Sequence, residues 1–293
     1  MQSTLLLGAS GQVGKALAGM LAEVIAPTRH QLDLSTLTHD QAHQFVASTG
    51  AGAIVNCAAY TAVDKAEEEV DVANAVNGTA VGILAEIAAE SGIPFVTYST
   101  DFVFNGRGDQ PYVESSAPDP INAYGRSKLI GERLASEVNP ETLIIRTSWV
   151  VSGTHSNFVA TMVRLASEGR SLNVVNDQHG CPTIATDLAV ATVAALGLRL
   201  SGLLHLTNQG ATTWFELAKA AVRLAGLNPE LITPCTTDEY PTPAPRPTYS
   251  VLGSERIDEV GVARLPRWED SLPGLINQLK TSQQAPPDHT VRH

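Results

Sequence analysis

Apolar residues in the first half of the chain fall into short unbroken runs, separated by longer stretches where they recur at helical spacing. "TLLLG", "EVIAPT", "AIVNCAA", "PFVTYST" and "TLIIRTS" have the continuous apolar character of strands buried on both faces. Between them, "GQVGKALAGMLAE", "THDQAHQFVAST", "DVANAVNGTAVGILAEIAAESG" and the segment from about Asn122 to Val138 read as amphipathic helices. Strict alternation of this kind predicts an α/β fold, a doubly wound parallel sheet covered by helices on both sides.

Beyond Trp149 the beat loosens. "NFVATMVRLASEG" predicts a helix and "SLNVVNDQHGCPT" a strand feeding a turn. "TDLAVATVAALG" predicts a helix N-capped at or near Thr186, "LLHLT" a strand, and "TWFELAKAAVRLAG" a helix ended by glycine. "PTPAPRP" reads as an ordered Pro-rich loop and "TSQQAPPDHTVRH" as a loose tail. No internal repeat is visible.

Composition narrows the classes. Among 293 residues, 43% are hydrophobic and 17% charged, which is ordinary for a folded chain. A net charge of -11, with no cluster of basic residues, argues against a nucleic-acid partner. Cys57, Cys181 and Cys235 are widely spaced and form no metal-ligand pattern, as in a reduced cytoplasmic protein. "MQSTLLLGAS" lacks the basic start and long apolar core of a signal peptide. "DLAVATVAALGLRL" is too short to span a bilayer, so no membrane association is expected.

Two constellations carry chemistry. "GASGQVG" sets Gly8, Gly11 and Gly14, with Ser10 in the same turn, after the first strand and at the head of the first helix. A tight turn, close approach of a pyrophosphate and close helix–sheet packing each require glycine there, which predicts a dinucleotide-binding Rossmann domain. Strand two ends "APTRHQLDLS", with Thr28 and Arg29 where an acid would hold a ribose 2′-hydroxyl. Arg29 suits a 2′-phosphate, so the cofactor expected is NADPH, with NADH tolerated. In "YGRSK", Tyr124 and Lys128 share a helix face at i, i+4. A ketone reductase needs a proton donor, and a lysine one turn away would lower a phenol pKa that is ordinarily ~10. "YSTDFVF" places Ser99 and Thr100 at the carboxyl edge of the sheet, where Thr100 can bond the carbonyl oxygen that Tyr124 protonates. Residues 1–150 are thus read as the dinucleotide-binding domain and 151–281 as mainly a smaller C-terminal substrate-binding lobe. A segment near 184–206 is expected to return to the first domain, and 282–293 to form the tail.

These motifs resemble the extended short-chain dehydrogenase/reductases and, within them, the dTDP-4-dehydrorhamnose reductase family. The stretches that carry the resemblance include "VNCAAYTAVDKAEEE", "YSTDFVFNG", "NAYGRSKLIGE", "RTSWV", "NDQHGCPT" and "PTPAPRPTYSVL". The resemblance implies a catalytic triad of Thr100, Tyr124 and Lys128. It implies a cofactor lined by Gly8, Gln12, Val13, Asp33, Leu34, Cys57, Ala58, Ala59, Tyr60, Tyr124 and Lys128, with Asn77 supporting the site through a hydrogen bond. Thr61, Val63, Asp101, Phe102 and Trp149 match positions near the sugar or nicotinamide, and Asn157, Gln178 and Arg246 are candidates for the nucleotide part. Trp149 could equally be core packing, and Arg246 a surface ion pair.

The activity implied is NADPH-dependent reduction of the C4 ketone of dTDP-4-dehydro-β-L-rhamnose, a step toward cell-surface polysaccharide. A ketoreductase of another dTDP-deoxysugar remains an alternative, as does a non-catalytic regulatory subunit like the β subunit of methionine adenosyltransferase. No metal is expected. The metal-bridged dimer attributed to some relatives uses glutamates where this chain has Ala16 and, near the second place, Thr186. A homodimer is the one protein partner the sequence leaves open.

Overall fold

The computed structural model describes residues 3–284. Its frame is a six-stranded parallel sheet in the spatial order β2-β1-β3-β4-β5-β6. The strands are β1 (Thr4–Leu7), β2 (Val24–Ile25), β3 (Ala53–Asn56), β4 (Phe95–Thr100), β5 (Leu143–Thr147) and β6 (Gly202–His205). β1, β3 and β5 are buried along their whole length, which is why they read as unbroken apolar runs. β2 is shorter than "EVIAPT" suggests. Pro27 has no N–H to give a neighbouring strand, and the chain leaves the sheet before it.

Alternation along β1 separates two apolar layers. Leu5 and Leu7 face a layer with Ile54, Leu84, Ile87 and Phe95. Leu6 faces the other, with Val55, Val96, Ile145, Leu188 and Leu204. The first layer is covered by α2 (His39–Thr49), α3 (Val70–Ser91) and α4 (Ala123–Val138). The second is covered by α1 (Gln12–Ala18) and by a helix from the second half, α6 (Ala185–Gly197). Helix α2 begins with a capping box between Thr38 and Gln41 and ends at Gly50 in the left-handed region.

Helix α6 corrects one expectation. It starts at Ala185, so Thr186 lies inside its first turn and caps nothing. The start is held from outside instead: Ile184 N–H donates to Asn208 Oδ1 at 2.8 Å, and Asn208 Nδ2 donates to Asp187 at 2.6 Å. Helix α3 brings a second surprise. Its 22 residues make it long and apolar enough to cross a membrane, a property the sequence reading gave to no segment. Here it is a core helix, with Val81, Leu84 and Ile87 buried against the sheet.

The remaining helices, α5 (Phe158–Ser167), α7 (Trp214–Leu224) and α8 (Trp268–Gln284), share a separate core around Val159, Val163, Leu217, Leu272 and Ile276. A parallel ribbon of Leu172–Val175 with Ile232–Cys235 flanks α7. Helix α8 runs on to Gln284, past the point where the tail was expected to begin; the rest of that tail lies outside the described residues.

Candidate active site

The glycine turn shapes the floor of a cleft at the carboxyl edge of β1. Gly8 has φ 71, and a Cβ there would stand 2.5 Å from the Ala58 nitrogen. A Cβ on Gly14 would stand 2.2 Å from the Gly8 oxygen. Neither position admits a side chain, so α1 is pressed onto the turn and the turn onto the strand-three loop. Above this floor lies a space of about 720 Å³ walled by Gly8, Ser10, Arg29, Asp33, Leu34 and the Ala58–Tyr60 backbone. A bare, close-packed backbone cradle under a cleft of that size fits a dinucleotide.

At its lip, Arg29 Nε lies 3.3 Å from Asp33 Oδ2. The hydroxyl and N–H of Ser35 hold the Asp33 carboxyl below its ordinary range, with Arg29 adding to the effect. Other predicted cofactor residues stand behind the wall. Gln12 donates to Val150 O at 3.1 Å, Val13 packs into the second apolar layer and Gly14 shapes the turn from beneath, while Gly11 is exposed in the turn itself and donates its N–H to Gly8 O at 3.0 Å. Cys57 is packed in the same layer, and burial pushes its thiol well up.

Helix α4 carries the candidate reacting groups, Tyr124 and Lys128. Asn122 caps it, accepting Gly125 N–H at 2.7 Å. Gly125 lets the first turn close onto the end of β4; a Cβ there would sit 2.1 Å from Phe102 O. Tyr124 therefore meets the ring of Phe102 edge-on, with centroids 5.9 Å apart, and packs with Tyr60 against Ala66, Ala73 and Ala123. Lys128 follows one turn later and is 4% exposed. Burial lowers its pKa to about 8, against upward pulls from Glu132 and Cys57. Burial also pushes Tyr124 up to about 12; the Thr100 hydroxyl draws it down and Asp101 pushes it further up. The sequence predicts a phenol lowered by Lys128; desolvation raises it instead, and the group that draws it down is the Thr100 hydroxyl.

Asn77 sits in a π-helical turn of α3, Ala75–Thr79, and is 1% exposed. Its side chain accepts Tyr60 N–H at 2.9 Å and donates to Tyr60 O at 3.0 Å and to Ser127 Oγ at 2.9 Å. Ser127 in turn donates to Tyr124 O at 2.8 Å. A wide turn in a core helix thus ties the cleft wall to the helix that carries the phenol.

With this geometry in place, the chain can be compared with known proteins. Residues 1–281 match the family model described as RmlD substrate binding domain. The dTDP-4-dehydrorhamnose reductase of Escherichia coli is 41% identical, across 95% of this chain and 98% of its own length. The Mycolicibacterium smegmatis protein of the same name is 40% identical, across 94% and 85%.

The chain belongs to the dTDP-4-dehydrorhamnose reductase family.

A solved member of the family, the Bacillus anthracis dTDP-4-dehydrorhamnose reductase in complex with NADP, superposes with a TM-score of 0.90. It is 34% identical and covers 94% of this chain and 99% of its own. Against that likeness, the substrate-side predictions divide. Phe102, Trp149, Gln178 and Arg246 come together around a second cavity of about 350 Å³. Trp149 has φ 47, a strained value for a residue with a side chain, and lies flat on Trp214 with centroids 3.7 Å apart. Arg246 is paired with Asp64 at 2.9 Å and also donates to Ala244 O at 2.9 Å, while still facing the cavity. Gln178 donates to Thr237 at 3.1 Å.

Three expectations fit less well. Asn157 caps α5 and donates to Gln12 Oε1, Ser152 O and His155 O, so it stands at the glycine turn rather than on the cavity wall. Asp101 is 2% exposed and lies behind Thr100, its carboxylate taken up by hydroxyls. Thr61 and Val63 lie in the loop before Lys65–Glu67 and line neither cavity, although neighbouring Asp64 does. The residues missed by sequence reasoning include Glu69 and Val72 at the first cleft, and Asp64, Trp214, Tyr240 and Ser250 at the second. Tyr240 offered a signal, as an aromatic residue beside the Pro-rich loop; Ser250 offered none.

Proposed function

We propose that this chain reduces the C4 ketone of dTDP-4-dehydro-β-L-rhamnose with NADPH, forming dTDP-β-L-rhamnose. The observation that carries the reading is the position of Tyr124, which packs on the same alanine cluster as the cleft residue Tyr60 and meets the ring of the cavity residue Phe102 edge-on. A phenol between a dinucleotide-sized cleft and an aromatic, arginine-bearing cavity can serve a ketone that lies where the two meet. A dinucleotide would be held by the Gly8 turn, Ser10 and the Ala58–Tyr60 backbone, with Arg29 at the lip offering a guanidinium to a 2′-phosphate.

When bound, the reduced nicotinamide supplies the hydride. The chain's own residues manage the proton. Tyr124 is fully protonated at neutral pH because burial holds its pKa at about 12. An alkoxide forming on the ketone oxygen is a stronger base than a phenolate, so transfer from Tyr124 to that oxygen runs downhill. Lys128 keeps a positive charge next to the phenolate left behind, at any pH below its value of about 8. Trp149, stacked on Trp214, and Arg246 offer a flat apolar face and a cation to the sugar nucleotide.

The direct test is to mix the protein with NADPH and a panel of 4-keto sugar nucleotides and follow the loss of nicotinamide absorbance. Turnover is expected with dTDP-4-dehydrorhamnose. Tyr124→Phe is expected to bind both ligands and turn over at least ~100-fold more slowly. Failure to consume NADPH with any member of the panel, or full activity in the phenylalanine variant, ends the reading.

A further inference from the structure

Asp101 is a buried carboxylate with an unusual set of neighbours. Among the described residues no salt bridge reaches it. Hydroxyls surround it instead. Thr100 Oγ1 donates to Oδ1 at 3.0 Å, and Ser250 Oγ donates to Oδ2 at 2.5 Å. Ser250 comes from far along the chain, on a stretch fixed from two directions. Its N–H donates to His179 O at 2.8 Å, and His179 N–H donates to Thr248 O at 2.8 Å. Thr248 donates to Gly106 O at 3.0 Å, on the loop that follows β4. Ser250 is also part of the second cavity's wall, whereas Asp101 is not.

A threonine hydroxyl has one proton to give. Thr100 Oγ1 accepts Phe102 N–H at 3.2 Å and also meets the Tyr124 phenol. Its single proton therefore has two claimants, the Asp101 carboxylate and the phenol oxygen. Whichever group holds Asp101 in place and in its charged form decides which claimant wins. Ser250 is so placed, and it faces the cavity where a sugar nucleotide would sit.

We propose that Asp101 and Ser250 are positioning residues: Ser250 latches the Asp101 carboxylate from the sugar side, and Asp101 sets the direction of the Thr100 hydroxyl proton beside Tyr124. The latch rests on the ketone reduction proposed above. Its electrostatics agree. Burial raises Asp101 to about 6, and the Ser250 and Thr100 hydroxyls hold it down from a higher value. The other titratable groups that interact with Asp101 are Tyr124, at about 12, and Cys181, at about 11. Both are neutral where Asp101 titrates, so neither contributes an acid limb, and a limb that vanishes in Asp101→Asn belongs to Asp101.

The test compares wild type, Ser250→Ala, Ser250→Thr and Asp101→Asn, each checked for an unchanged melting profile. Ser250→Ala is expected to lower kcat about tenfold, the loss of one hydrogen bond to a charged group. KM for NADPH should be unchanged, and the acid limb of kcat should move to higher pH. Ser250→Thr, which keeps the hydroxyl, should restore both, and Asp101→Asn should erase the limb. An unmoved acid limb in Ser250→Ala, even with reduced kcat, overturns the latch. Carboxyl 13C NMR of Asp101 reads the same contact without turnover. An identical Asp101 titration in wild type and Ser250→Ala also overturns it, whereas a wild type inert to every 4-keto sugar nucleotide overturns the underlying reduction.

Discussion

Lys128 is a charge placed where charge is expensive, and its surroundings set the pH at which it disappears. Burial lowers it and Glu132, one turn along α4, raises it, with the balance at about 8. Glu132 cannot swing away to pair elsewhere, because Arg146 grips it through two bonds of 2.8 and 2.6 Å. The sign of the effect follows. Below about 8 the ammonium is present to balance a Tyr124 phenolate, and above it the charge is lost. The rate of ketone reduction should therefore decline as pH rises through about 8, while Tyr124 is still protonated. Lys128→Met should lose ~100-fold in kcat and show no such limb. A pH–rate profile of the two proteins checks this, and an alkaline limb that persists in the methionine variant assigns it to another group.

At the scale of elements, what matters is how closely α4 can approach the end of β4 and the neighbouring helix α3. Gly125 and Gly131 are the contact points: a Cβ on the first would meet Phe102 O at 2.1 Å, and on the second Asn77 O at 2.1 Å. Neither neighbour is a flexible side-chain tip; both are backbone, so the helix must move. Gly125→Ala should destabilise the fold by about 1–3 kcal/mol. By displacing Tyr124 it should also reduce kcat more than cofactor affinity, to be read from thermal melts and single-turnover rates. This dependence on distance marks the limit of what the sequence discloses. The glycine turn, the alternating strands and helices and the YxxxK spacing are local patterns, and each was legible. The π-turn around Asn77 was not, because its backbone widening leaves the apolar periodicity of α3 nearly intact. The start of α6 was misread because its backbone is satisfied by Asn208, 24 positions away from Ile184. The raised phenol of Tyr124 was hidden for a related reason: the spacing of a lysine is written in the sequence, and the depth of burial is not.

In the whole molecule, the two halves meet most tellingly at the glycine turn. Gln12, at the head of α1, donates to Val150 O at 3.1 Å and receives Asn157 Nδ2 at 3.0 Å. His155 Nε2 reaches Ser10 O at 2.7 Å. The loop between β5 and α5 therefore rests on the glycine turn proposed above to hold the dinucleotide, so ordering one should order the other. Asn157 performs two tasks that substitution can separate. Its Oδ1 caps α5 by accepting Ala160 N–H at 3.0 Å, while its Nδ2 serves Gln12 and two lobe carbonyls. Serine keeps an oxygen for the cap but has no amide to offer. Asn157→Ser should consequently retain most of the stability of the free protein, whereas Asn157→Ala should lose about 1 kcal/mol more by giving up the cap. Both variants should bind NADPH several-fold more weakly than wild type, because the turn is no longer braced from the lobe side. Titration calorimetry with NADPH, beside thermal melts of the free proteins, separates the two effects. NADPH affinity that follows helix stability instead of the Gln12 contact would show that the lobe merely covers the turn and does not brace it.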